Sequence, residues 1–201
     1  KYQQLSDQLA DILDGFSPTV ELAETGCAYL ETSGLGDELI LARQIAESIS
    51  GDTGLEVRLG ASNSKFISRL AALTSTYEFP TIVPEGQERE FVAPFSIDVL
   101  PCPAEMKKRL HLLGIRHIYQ VGEFSKISLV HQFGREGAAA WELAQGHDGA
   151  SLNPRKKPDV IIASVDVDPP ADTSLQILHH CQMALEKPLA RMRRQGKVCS
   201  E

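Results

Sequence analysis

The sequence predicts an α+β protein, and three observations lead there. Up to about residue 94, helical and strand-like apolar periods alternate along the chain. From Ala93 the texture changes to short helices joined by glycine or proline. Beyond a basic, proline-bracketed run, a β-branched stretch precedes one more amphipathic helix. The chain therefore divides into an α+β part over 1–94, an all-helical part over 95–150, a basic linker over 151–159 and the start of an α/β part over 160–201.

Taken in order, Tyr2 to Leu13 reads as a helix with Leu5, Leu9, Ile12 and Leu13 inward and Gly15 just past its end. Lys1 is not a methionine and the helical pattern starts at once, so the chain reads as beginning inside a larger protein. Pro18–Ala23 and Cys27–Glu31 form the two arms of an expected hairpin around Glu24, Thr25 and Gly26. Gly36 or Asp37 opens a helix carrying Leu39, Ile40, Leu41, Ile45 and Ile49, expected to end at Gly51. Leu55, Val57 and Leu59 then alternate with Glu56 and Arg58 as in a half-buried strand, which Gly60 breaks. Ser62 and Asn63 offer caps for a helix whose apolar stripe is Phe66, Ile67, Leu70 and Leu73. Lys65 and Arg69, four residues apart, share a face near its start. With the free backbone N–H groups of the first turn they suit a triphosphate or a nucleic-acid phosphate, the plain alternative being a solvated basic face. A short strand at Thr81–Val83 and a turn at 84–86 close this part, whose element order implies helices on one face of an antiparallel or mixed sheet.

In the helical part, Ile97, Leu100, Met106, Leu110, Leu113 and Ile115 define a helix ending at Gly114. Val121 to Phe124 leads into Leu129, Phe133 and Gly134, and a last helix over 138–145 stops at Gly146. The linker NPRKKP brackets three consecutive positive charges with prolines. Val160–Val167 reads as a strand, and Asp172 as the cap of a helix with Leu175, Leu178, Cys181, Leu185, Leu189 and Met192 inward. Pro188 should kink or break that helix.

Composition narrows the function classes. With 201 residues at 42% hydrophobic, the chain can bury one or two cores. No apolar run approaches the roughly 20 residues of a membrane span, and no signal-peptide pattern is present, so no membrane partner is expected. Four cysteines, Cys27, Cys102, Cys181 and Cys199, lie far apart with no C-x-x-C pair, so neither a zinc ribbon nor a disulfide framework is indicated, and a cytoplasmic, reducing setting fits. The net charge of −7 is uneven: the balance is −9 over 1–95, +2 over 96–160 and zero beyond, so the second half is the side for nucleic acid. His179 and His180 are adjacent and diverge on a helix, and Asp166 and Asp168 read as exposed strand-end residues. No P-loop, Rossmann or nucleophile-elbow fingerprint occurs, and no metal site is indicated.

Four stretches, in order, resemble the Y-family or translesion-type DNA polymerases. FSPTVE with AYLE (16–21 and 28–31) is similar to the family's palm motif S-P-x-V-E followed by S-I-D-E-A-Y-L-D. GASNSKFISRLAA (60–72) is similar to G-I-A-x-N-K-x-x-A-K-x-A-S. The run from Phe95 to Phe124, with 133–148, resembles the family's thumb with its helix-hairpin-helix character. The segment from Asn153 onward resembles the start of its little finger. The resemblance implies a partial polymerase palm of sheet and helices, an all-helical thumb and the beginning of an α/β little-finger domain.

It also implies an activity and its absence. The family transfers nucleotides with two Mg²⁺ held by palm carboxylates. Here Gly26 and Cys27 occupy the positions of the family's Asp-Glu pair, and neither offers the hard oxygen that Mg²⁺ takes. Glu24 is a weak substitute, two residues before Gly26 on what would be the same strand face. No catalytic residue and no cofactor is therefore expected, with Mg²⁺ entering only if the protein is an active polymerase. The loss matches the catalytically degenerate homologues of bacterial mutagenesis cassettes, DNA-repair proteins of the SOS response. These act as adaptors between a separate translesion polymerase and the sliding clamp. Arg69 replaces the lysine the family associates with the triphosphate, Lys65 matches a conserved lysine, and Ser64 stands for asparagine. Pro101, Cys102 and Pro103 replace a glycine-rich hairpin and remove amide donors, so Lys107, Lys108 and Arg109 become the thumb's DNA-binding candidates, with Arg155, Lys156 and Lys157 in the linker. Three readings follow: a non-catalytic protein binding primer-template or damaged DNA on the nucleoid, a fragment of an active polymerase, and a protein scaffold without DNA binding.

Overall fold

The computed structural model describes residues 2–24, 26–155, 167 and 173–194. The chain separates into two compact units, one ending at Arg155 and one starting at Lys156.

The first unit opens with α1 (Tyr2–Leu13) and the hairpin of β1 (Val20–Leu22) and β2 (Ala28–Leu30), paired antiparallel with Glu21 opposite Tyr29. Next comes α2 (Glu38–Thr53), capped by Asp37, whose carboxylate accepts the Ile40 N–H. The helix runs through Gly51 and stops at Gly54 instead. The strand expected over 55–59 does not form. Its last residues lead into β3 (Gly60–Ala61), which pairs parallel with β4 (Thr81–Ile82) across the crossover helix α3 (Lys65–Thr74). Gly60 is thus part of a strand rather than its breaker. A Cβ there would lie 2.2 Å from the Ala72 N and 2.5 Å from the Ser68 O, so α3 packs on bare backbone. Ser64, not Ser62 or Asn63, caps α3, its Oγ accepting the Ile67 N–H at 3.3 Å. Among the described residues two separate two-stranded sheets therefore replace the single sheet that the element order implied.

The helical part follows as α4 (Glu88–Val92), a 3-10 turn at Ile97–Val99, α5 (Ala104–Leu112), α6 (Ile118–Glu123) and α7 (Lys126–Ala144). The helix expected from Ile97 begins only after Pro103, because Pro101 and Pro103 cannot donate to a helical ladder. Along α7 two helices meet at Gly134, whose backbone is non-helical (φ 61°, ψ −139°), one holding Leu129 and the other the stretch expected from 138.

Two cores hold this unit. The smaller gathers Leu13, Val20, Ile45 and Ile49, with Val57 and Leu59 packed at its edge. The larger gathers Phe66, Ile67, Leu70 and Ala71 of α3 with Val92, Ile97, Met106, Leu110, Ile118 and Leu129, so it runs across position 94. Leu73 and Leu113, expected inside, are more than half exposed. In the second unit the described element is α8 (Ser174–Arg194). It is capped by Thr173 and Gln176, which exchange hydrogen bonds, and it runs through position 188 without a break. Asp172 and 160–166 lie outside the described residues. On α8, Leu175, Leu178 and Leu185, expected inward, are exposed among the described residues.

Candidate nucleotide and nucleic-acid site

The residues singled out for metal and phosphate meet at one corner, where the β1–β2 turn faces α3. The turn is closed by the Cys27 N–H donating to the Glu24 carbonyl at 2.8 Å, with Gly26 at φ 82°. A side chain at position 26 would be strained there, although the surrounding space is open. Because Glu24 and Gly26 lie outside β1 and β2, the same-face argument for Glu24 does not apply.

Each cation of α3 already has a carboxylate. Lys65 Nζ lies 2.8 Å from both Glu21 carboxylate oxygens and 4.9 Å from the centre of the Tyr29 ring. Arg69 forks onto Glu24, both contacts at 3.2 Å. The first-turn amides expected to be free are occupied too: Phe66 N–H donates to Asp148 Oδ2 at 2.9 Å and Ile67 N–H to Ser64. Glu21 is held below the usual carboxylate range, first by the Lys65 hydrogen bond and then by the Asn153 amide. Arg69 is raised, chiefly by its hydrogen bond to Glu24. Burial, and after it the neighbouring Cys27, pushes the Tyr29 phenol up to about 12.

This corner does not fit a magnesium ion. Gly26 has no ligand atom, Cys27 offers a soft thiol, and the two glutamates are engaged by cations. Among the described residues no group of three or more His, Cys, Asp or Glu side chains converges as a metal site.

The remaining candidates separate by exposure. Lys107 Nζ donates to the Asp98 carbonyl at 2.6 Å, while His111 Nε2 sits 2.9 Å from the Asp98 carboxylate. Asp98 is lowered, by His111 first and Ser96 second. Between Pro101 and Pro103 the one amide, on Cys102, donates to the Leu100 carbonyl and is spent within the turn. Lys108 and Arg109 on α5 are exposed, with no ion pair among the described residues. Arg155, by contrast, is folded in: its guanidinium meets Asp11 at 3.3 Å and also Asp14, and its N–H donates to the Val20 carbonyl. Lys156 and Lys157 lie outside the described residues. Glu21, Asp148, Asp11 and Asp14 escaped the sequence reading, since nothing in their spacing ties residue 21 to 65, or 148 to 66.

Comparison with known proteins gives a consistent set of likenesses. The model of the impB/mucB/samB family matches residues 1–73. DNA polymerase IV of Alkalilimnicola ehrlichii is 24% identical over 200 residues, 97% of this chain and 56% of that protein. DNA polymerase IV of Shewanella oneidensis is 26% identical over 191 residues, 92% and 52%. Among solved structures, DinB from Sulfolobus solfataricus superposes with a TM-score of 0.65 at 21% identity, over 76% of this chain and 47% of that one. A DinB family error prone DNA polymerase from the same organism gives 0.66 at 19% identity, over 92% and 57%. The chain spans about half the length of the curated relatives it matches.

Proposed function

We propose that this chain, similar to the impB/mucB/samB family model over residues 1–73 and to DNA polymerase IV at 24–26% identity, is a DNA-repair protein of the Y-family translesion type that binds primer-template or damaged DNA without extending it. One observation carries the reading: the two cations across from the β1–β2 turn are paired with Glu21 and Glu24, and by the motif resemblance Gly26 and Cys27 of that turn stand in for the family's metal carboxylates. A two-metal transfer needs at least two free carboxylates facing the ions, and this corner has none to spare. Contact with DNA falls to the helical, thumb-like part, where Lys108 and Arg109 are exposed and have no ion pair among the described residues, and to Lys156 and Lys157 in the linker. On this reading the protein works in the cytoplasm on the nucleoid and bridges a separate translesion polymerase to the sliding clamp. Among the described residues no helix is long and apolar enough to cross a membrane.

The test is a salt titration of binding to a fluorescent primer-template, run beside a primer-extension assay with Mg²⁺. The expected result is no extension and binding that weakens with salt. The salt slope should become shallower by about two when Lys108 and Arg109 are both replaced by alanine. Extension above background would restore the active-polymerase reading. Absence of binding at low salt would leave the scaffold reading, in which the acidic first part recruits other repair proteins.

A further inference from the structure

The turn after α7 launches a segment that returns to the α3 corner. Gly146 passes so close to α4 that a Cβ there would lie 2.8 Å from the Arg89 N and from the Glu88 Cβ. Asp148 then sits on the first turn of α3, its Oδ2 accepting the Phe66 N–H at 2.9 Å while its Oδ1 accepts the Ala150 N–H at 2.9 Å. The Ser151 carbonyl stands 3.5 Å from Lys65 Nζ, and the Asn153 N–H donates to Glu21 Oε2 at 2.6 Å. The Arg155 N–H donates to the Val20 carbonyl at 2.8 Å, and its side chain closes on Asp11 and Asp14. From Asp148 on, the contacts beyond the Ala150 turn join the segment to α3, to β1, and to Asp11 and Asp14 at the end of α1. Glu21 is the shared member, with Lys65 on one side and Asn153 on the other.

We propose that residues 148–155 are an autoinhibitory strap. They hold the first turn of α3 and Lys65 against anions of the chain itself, so that a phosphate group reaches Lys65 and Arg69 only when the strap lifts. The inference rests on reading these two cations as the phosphate-facing pair of a degenerate polymerase corner. The electrostatics favour the closed state, because an incoming phosphate meets Glu21 and Asp148 before it meets a free cation, and like charges in one site exclude each other. Glu24 is the weaker latch: its side chain is 68% exposed and its pair with Arg69 is screened by water. Glu21, 13% exposed, is the stronger one.

The experiment measures amide hydrogen exchange at Phe66, Asn153 and Arg155, with calorimetric titration of inorganic tripolyphosphate, in the whole chain and in Glu21→Gln and Asp148→Ala. If the segment lifts as a unit, each variant speeds exchange at the amide it accepts from, and both speed the Arg155 amide about tenfold. Both then bind tripolyphosphate at least about tenfold more tightly than the unaltered chain, a gain that Lys65→Ala removes. Local fraying of one amide without the Arg155 amide, or equal tripolyphosphate affinity in all three proteins, overturns the strap. Two variants on different elements keep the test valid if one fails to fold. Titrating primer-template DNA in parallel identifies the phosphate: a matching gain points to the DNA backbone, no gain to a free polyphosphate. Loss of DNA binding in every protein would end the DNA-binding reading while the tripolyphosphate result still stood.

Discussion

Lys65 and Arg69 on α3, and Lys108 and Arg109 on α5, are the same chemistry in two surroundings. The first pair faces the acidic α+β part, where Glu21 and Glu24 reach it, and its charge is cancelled within the fold. The second pair projects from a helix whose inward residues, Met106 and Leu110, are buried in the larger core, and no carboxylate answers it among the described residues. Basic spacing on a helix therefore locates charge, while the opposing surface decides whether that charge is available to a partner. The negative balance of 1–95 and the positive balance of 96–160 express the same division at the level of the sequence.

The largest perturbation of this contrast is Gly60→Ala. The new methyl would lie 2.2 Å from a backbone nitrogen of α3, which no side-chain rotation relieves. We expect a loss of about 3 kcal/mol in a denaturant titration, near the upper end for overpacking. With α3 displaced, the exchange protection of Phe66 and Asn153 should fall most. A neutral Gly60→Ala would mean that β3 and α3 separate easily and that the corner is not rigid.

Next in size is Arg155→Ala, set against the linker lysines. Arg155 was a candidate DNA contact by its place in NPRKKP, yet its side chain is only 17% exposed between Asp11 and Asp14. Its loss should cost about 2 kcal/mol, since it removes the ion pairs that a largely buried guanidinium makes with Asp11 and Asp14, and should leave the salt slope of DNA binding unchanged. Replacing Lys156 and Lys157 together should do the reverse, flattening the slope with little effect on stability. A slope that flattens with Arg155→Ala would mean that this guanidinium leaves its aspartates for DNA.

The fold was legible wherever a local rule decided it. The span of α1, the β1–β2 hairpin and the cap at Asp37 follow from apolar period, turn residues and capping chemistry, and each stands where the sequence put it. The strand expected over 55–59 failed because alternation predicts a face but not a partner: the first hydrogen bond to β4 is the one the Leu59 carbonyl accepts from Thr81, and the strand pairing starts at Gly60. The site was half legible. Lys65, Arg69, Gly26 and Cys27 were visible as residue types in motif order. Their neutralisation was not visible, because Glu21 lies 44 residues from Lys65 and Asp148 lies 82 from Phe66.

The smallest expected effect bears most directly on the corner. Glu21 is held below the usual carboxylate range by Lys65 first and the Asn153 amide second, against burial acting the other way. A carboxylate lowered in the folded state stabilises it above the unfolded value and loses that contribution as pH falls through the folded one. Protection of the Asn153 amide should therefore be level from pH 7 to about 5 and decline below about pH 4. Glu31, Asp98 and Glu142 are lowered as well, by Ser33, His111 and Lys126 first in each case, so overall acid stability cannot isolate Glu21. Glu21→Gln supplies the control, because its side chain keeps an acceptor oxygen but does not titrate, so protection of the Asn153 amide should be the same at every pH, with no step. If the unaltered chain also shows no step, the amide is held by the backbone path of 148–155 and not by the charge on Glu21. The corner would then be closed by packing, and acid would open α5 and its His111–Asp98 contact before it opened α3.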